Sequence, residues 1–150
     1  MNISIDLLKY VEYLKVKSFN QQKRVFDPIR QKDILLTPEE TVRQLMIHLM
    51  HQEYAYPMTK IAVEKAIQIG TTTKRFDLLF YNQQFQPHVL VECKAPKVLI
   101  SESTFRQAAW YNFQLHADYL IVTNGTQTYC CLMDYEKNDY TFQQGLPKFK

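Results

Sequence analysis

The 150 residues are 46% hydrophobic and 13% aromatic with only three glycines, a composition that excludes a disordered chain and fits one domain around one core. The net charge of +3 permits contact with nucleic acid without requiring it. No apolar run approaches the roughly 20 residues of a membrane span, and the first segment, with Asp6 and Glu12 among its early residues, does not read as a signal peptide.

Residues 1–36 are expected to form an N-terminal arm or a helix over 5–17, followed by the polar stretch Asn20 to Arg24. Residues 37–150 are expected to form a single domain. Its first helix, 38–53, is well signalled: Thr37 suits the N-cap, Pro38 the first helical position, and Glu39 and Glu40 complement the positive helix end. Glu40 also completes a capping box with Thr37, and Val42, Leu45, Met46, Leu49 and Met50 recur at helical spacing as a buried stripe. A strand over 61–67 follows. Gly70 and three threonines lead into a hairpin with strands at about 75–82 and 88–94, joined through Asn82, Gln83, Gln84 and Pro87. A helix over 103–115 comes next, in which Trp110 is read as a core residue. The strands 119–123 and 129–133 then flank Asn124-Gly125, which reads as a hairpin turn. The expected fold is α/β: a central mixed sheet of four to five strands flanked by helices, in the order α-β-β-β-α-β-β.

Chemistry concentrates in the hairpin. Asp77 lies in one apolar strand, and Glu92-Cys93-Lys94 closes the other. Because side chains alternate along a strand, Glu92 and Lys94 share a face and Cys93 points the other way. Two carboxylates and an ammonium can hold a divalent cation through hard oxygens and place a water or a phosphate beside it. The competing reading is a solvated cross-strand salt bridge. It is disfavoured because charges are seldom set in otherwise apolar strands such as PHVLVECKAP. The cysteines, Cys93 and Cys130-Cys131, lack zinc spacing and a paired framework, so an intracellular, reduced, cytoplasmic protein without structural zinc is expected. Cys93 faces away from Glu92 and Lys94, and none of the four histidines stands in a pattern that would make it a nucleophile. Basic residues gather in the first 32 positions, including Arg24 and Arg30, and could line a phosphate track or simply be solvated.

The segments Phe26-Asp27-Pro28-Ile29-Arg30, Leu36 to Gln44, Arg75-Phe76-Asp77, Val91 to Pro96, Gln107 to Asn112 and Thr123-Asn124-Gly125 follow one another in an order that resembles the PD-(D/E)xK nuclease superfamily. More closely, they resemble the N-terminal nuclease domain of type I restriction enzyme R subunits. The position before Asp77 is Phe76 where many members have proline. The resemblance implies a restriction-endonuclease-like core and a metal-dependent DNA endonuclease in a restriction or related DNA-processing system. It implies Mg²⁺ or Mn²⁺ held by Asp77, Glu92 and the backbone carbonyl of Cys93, with Lys94 stabilising charge or orienting the attacking water. A glutamate of the first helix would support the metal site. Glu39 is favoured over Glu40 because Glu40 is engaged in the capping box and Glu39 is expected nearer the buried stripe; Glu64 is a further candidate. Gln107 and Tyr111, one helical turn apart, would contact the phosphate backbone or brace the metal site, or else form a structural pair.

Expected partners are DNA and other restriction-system subunits, with no membrane. The rival is a binding module on a nuclease fold that holds DNA or a protein without cutting. No phosphate-binding G-x-x-x-x-G-K-[S/T] loop is present, so any ATP dependence would come from elsewhere. The closing segment Gln144 to Lys150 reads as the tail of a stand-alone protein.

Overall fold

The structure is a computed structural model that describes residues 2–150. Chain order sets β1 (Val16–Phe19), β2 (Gln22–Asp27) and β3 (Lys32–Leu35) before the helix α1 (Pro38–Tyr54). There follow β4 (Ile61–Ile69), β5 (Thr72–Tyr81), β6 (Pro87–Cys93), α2 (Glu102–Leu115), β7 (Tyr119–Thr123), β8 (Thr128–Asp134) and β9 (Asp139–Phe142). Strands β1 to β3 form a small antiparallel sheet, and β4 to β9 form a six-stranded sheet in sequence order. Among the described residues only the β6–β7 pair is parallel, as a strand crossing over through α2 requires.

Helix α1 starts where its residues dictate: the Thr37 side chain accepts the Glu40 N–H, and Pro38 occupies the first turn. It ends on Ala55, held at φ +66°. Its apolar stripe packs on one face of the large sheet, with Val42, Leu45, Met46, Leu49 and Met50 meeting Leu78, Phe80, Val89, Val91, Ile121 and Cys130. Helix α2, capped by Ser101, covers the other face, where Phe105, Ala108 and Ala109 meet Leu79, Leu90, Leu120, Val122 and Cys131. Adjacent residues of β6, β7 and β8 thus enter opposite cores, the signature of strands buried on both faces. The free, buried cysteines follow the same alternation: Cys130 lies in the α1 core and its neighbour Cys131 in the α2 core.

The expected elements from 38 onward are present, and the structure adds others. The N-terminal helix expected over 5–17 is instead a short 3-10 helix, Leu7–Tyr13, burying Leu7 and Tyr10 at the three-residue spacing of that helix, followed by β1. The polar stretch at Asn20 is a strand-to-strand turn in which Asn20 and Gln21 both have positive φ, the backbone that joins twisted antiparallel strands tightly. All four residues of β1 are exposed, so it leaves no apolar alternation in the sequence. The central sheet gains β9 beyond the four to five strands expected; it is a short edge strand, mostly exposed. Residues 124–127 form a four-residue connection rather than a two-residue hairpin, because Thr123 pairs with Thr128 and the Asn124 carboxamide oxygen accepts the N–H groups of Thr126 and Gln127. Among the described residues no helix is long and apolar enough to cross a membrane, a statement that leaves β-barrels aside.

Candidate active site

The site forms where the large sheet opens. Strands β5 and β6 pair as far as Leu78 and Val91, one residue short of Asp77 and Glu92, so these two acids stand opposite each other just beyond the last paired step. There the Cys93 N–H has lost its strand partner, and the Asp77 carboxylate accepts it instead at 2.7 Å. On the other side of β5, the pairing with β4 joins Val63 to Leu78 and Lys65 to Phe76 but skips Glu64 and Asp77. Glu64 takes φ +52°, a strained value for a residue with a side chain. Leu78 enters the α1 core while Phe76 enters the α2 core, so the facing of β5 reverses across Asp77.

Asp77 consequently touches both layers. From α1, Arg43 Nη2 donates to Asp77 Oδ1 at 2.7 Å, while Arg43 Nη1 donates to Glu40 at 2.6 Å. Toward α2, the Glu92 carboxyl lies within hydrogen-bonding reach of Asp77 and is pushed up to about 8, first by burial and then by the negative charge of Asp77 and the hydrogen bond to it. Two carboxylates this close favour a shared positive species between them, a proton or a metal ion. Arg43 is 5% exposed and its guanidinium is held even more firmly protonated than usual: burial opposes the charge, and the hydrogen bonds and charges of Asp77 and Glu40 outweigh it.

Behind Asp77 lies a buried ion-pair network that no motif in the sequence announces. Arg30 donates to Asp27 at 2.6 Å, Glu40 at 3.0 Å and Glu64 at 3.1 Å, and Gln44 donates to both Asp27 and Glu40. Arg30, expected as an open phosphate contact, therefore has its guanidinium committed to carboxylates. Arg24 sits on β2 with the strand alternation setting it on the opposite face from Val25 and Asp27, both fully buried. The burial expected of the two helix acids is reversed. Glu40 is the buried one, at 5% side-chain exposure, and is held by both arginines; Glu39 is 46% exposed with one oxygen 3.8 Å from Arg43. The capping box is one-sided, since Glu40 turns toward the arginines and the Thr37 N–H goes to the Leu35 carbonyl. Asp27, Arg43 and Gln44 all lie within the motif-bearing segments, but nothing in their spacing shows that they converge.

On the α2 side, Glu92, Lys94, Gln107 and Tyr111 line one narrow cleft of about 30 Å³ together with Lys74, Thr104 and Ala108, room for a water. The helical pair Gln107 and Tyr111 thus reaches the strand triplet. Trp110, read as core, is 55% exposed beside Tyr111. Lys74 carries no sequence signal of its own, and its Nζ stands 4.9 Å from the centre of the Tyr111 ring. Cys93 turns into the α1 core as alternation requires, its thiol held well above the usual range by burial and then by Asp77, which leaves its backbone as the part near the acids. A larger, mostly apolar cavity of about 310 Å³, lined by Ile100, Phe105, Tyr129, Tyr140 and Phe142, has only Glu102 as an acid and is separate from this chemistry.

The donor set suits a hard cation that keeps most of its waters. Asp77 and Glu92 supply two carboxylates, and among the described residues no three His, Cys, Asp or Glu side chains converge to cage an ion alone. Mg²⁺ characteristically takes one or two carboxylates and completes its shell with water and phosphate oxygens.

Residues 38–147 match the family model described as the type I restriction enzyme R protein N terminus. The chain belongs to that family. Its fold is also similar to a solved fragment described as a putative HsdR subunit of a type I restriction enzyme from Vibrio vulnificus YJ016, with a TM-score of 0.51 and 19% identity over 75% of this chain. The chain spans 24% of the length of that fragment. No curated protein matches the sequence significantly.

Proposed function

We propose that this R-protein N-terminal domain is a Mg²⁺- or Mn²⁺-dependent endonuclease that hydrolyses phosphodiester bonds in DNA, as part of a cytoplasmic restriction system with other subunits. The observation that carries the reading is the placement of Asp77 and Glu92 opposite each other just past the last paired step of β5 and β6, with Glu92 pushed up to about 8 by burial first and then by Asp77, which suits a divalent ion in place of the proton. The ion, when bound, supplies an acidified water and offsets phosphate charge. Asp77 is oriented for this by the Cys93 N–H and Arg43. Lys94 and Gln107 line the cleft beside Glu92, where an ammonium offsets charge growing on a phosphate oxygen and a carboxamide orients water. Glu39, largely free, suits a water-holding role; Glu40 is taken by Arg30 and Arg43. Conversion of supercoiled plasmid with Mg²⁺ or Mn²⁺ is expected for the wild type and is expected to fall to background in Asp77→Ala. Lys94→Ala should lose cleavage while DNA affinity stays within about threefold, since one contact among several contributes little to ground-state binding. In calorimetry, Glu92→Gln should bind Mn²⁺ more weakly; unchanged affinity would remove Glu92 from the metal site.

One observation favours a second reading, a module that binds without cutting: both Asp77 oxygens already accept strong hydrogen bonds, from Arg43 and from the Cys93 amide. DNA binding by the wild type with no cleavage by either metal, on any substrate form and with restriction-system subunits supplied, would establish that reading instead.

A further inference from the structure

The ion-pair network withdraws Arg30 from solvent, so the phosphate track expected on the N-terminal segment lacks one of its two arginines. The structure offers another surface. Beyond the break at Glu64 and Asp77, β4 and β5 continue as a hairpin to Gly70, and from Lys65 to Arg75 it carries three basic residues, Lys65, Lys74 and Arg75, and no acid. Because the facing of β5 reverses at Asp77, Lys74 comes to the same side as Phe76, the α2 side, where it lines the cleft with Glu92 and Lys94. Without that reversal, strand alternation would carry Lys74 to the side of Leu78 and α1. Its ammonium lies over Tyr111, whose neighbour Trp110 is the most exposed aromatic of α2. Lys74 has no carboxylate partner among the described ion pairs. An unpaired lysine over the half-buried Tyr111 ring, at the rim of a cleft holding a second lysine, is the chemistry that seats a nucleic-acid backbone.

We propose that Lys74 is a phosphate-contacting residue for duplex DNA and that the backbone runs along the wall formed by the β4–β5 hairpin and the Gln107, Trp110 and Tyr111 face of α2. This rests on the reading of the domain as DNA-acting, but not on its cutting. The test is fluorescence anisotropy with a labelled duplex in EDTA, so that cleavage plays no part, over a range of salt concentrations. Lys74→Ala should weaken binding roughly fivefold at about 0.15 M salt and flatten the log–log salt slope by about 0.9, the loss of one phosphate contact. Lys74→Arg should keep both, and Arg24→Ala, on the small sheet, should change neither. Trp110→Ala, at an exposed position, should keep the slope, since an indole neutralises no phosphate. Unchanged affinity and slope in Lys74→Ala overturns the proposal, as does a loss carried by Arg24→Ala or one seen only with single-stranded RNA of the same sequence. A wild type that does not bind duplex DNA overturns it too. If Lys74→Ala behaves as expected and no variant or wild type cuts plasmid, the track stands and the nuclease reading alone falls.

Discussion

Arg43 is the side chain on which the site turns. It ties α1 to β5, giving one nitrogen to Glu40 and another to Asp77, and both of those acids are largely buried. Removing one partner of such a cluster strands the others in a medium that solvates them poorly. Arg43→Ala is therefore expected to lose about 3–5 kcal/mol in urea unfolding. Arg43→Lys should lose less, since it keeps the charge but not the fork that reaches two acids at once. A change below about 1 kcal/mol in Arg43→Ala would mean that water enters and solvates the acids, as at a surface pair. Glu92 makes the complementary point: its carboxyl is raised by burial and by Asp77, and that arrangement is costly to the fold unless a cation answers it.

At the level of elements, the turn after β7 fixes how α1 and the N-terminal segment sit together. Gly125 adopts φ +92°, and a Cβ there would meet Val42 Cγ2 at 3.4 Å and Leu7 Cδ1 at 3.7 Å. The backbone conformation calls for glycine here, whereas the space would admit a methyl group in ordinary van der Waals contact with Val42 and Leu7. Gly125→Ala is expected to cost about 1–2 kcal/mol, read as a lowered denaturation midpoint with unchanged slope. By contrast, a methyl group on Gly70 would have nothing within 4 Å, and that residue is constrained by its φ of +61° alone. The break between β4 and β5 is the other decisive element. It leaves Glu64 strained at positive φ, anchors its carboxylate on Arg30 at 3.1 Å, and turns the outer hairpin so that Lys74 faces the cleft.

For the whole molecule, two cores share one sheet, and titrating groups report on each. His48 of α1 is buried and stacked on Tyr13 with ring centroids 5.5 Å apart; burial, followed by the nearby charge of His51, lowers its pKa from the ordinary 6.5. The unfolded chain takes up a proton there that the fold resists, so this group's contribution to stability is full above pH 6.5 and is lost as pH falls through 6.5 toward the lowered value. Glu92 acts in the opposite sense, its raised value favouring the fold at low pH and costing stability as pH rises from 4.5 toward 8. Comparing variants separates them: between about pH 7 and pH 5, His48→Gln should lose less stability than the wild type in thermal unfolding. An identical pH dependence would show that His48 is protonated in the fold without cost.

Elements whose signals are local are legible in the amino-acid order alone. Thr37, Pro38 and the apolar stripe from Val42 to Met50 set α1, and the β-branched and aromatic runs set β4 to β8, because caps and periodicity act within a few residues. The charged positions in the apolar hairpin strands draw attention to Asp77, Glu92 and Lys94, Gln107 and Tyr111 enter through the family resemblance, and strand alternation alone separates Cys93 from Glu92. What depends on distant partners emerges only in the folded chain. Glu39 and Glu40 are adjacent in sequence, and only the approach of Arg30 and Arg43 makes Glu40 the buried acid. The same holds for Arg30, withdrawn by three carboxylates from three separate segments, and for Lys74, delivered to the cleft by a break in strand pairing. Charges and strand facings of this kind are settled by long-range packing and by the need to compensate every buried ion, and neither leaves a periodic mark in the chain.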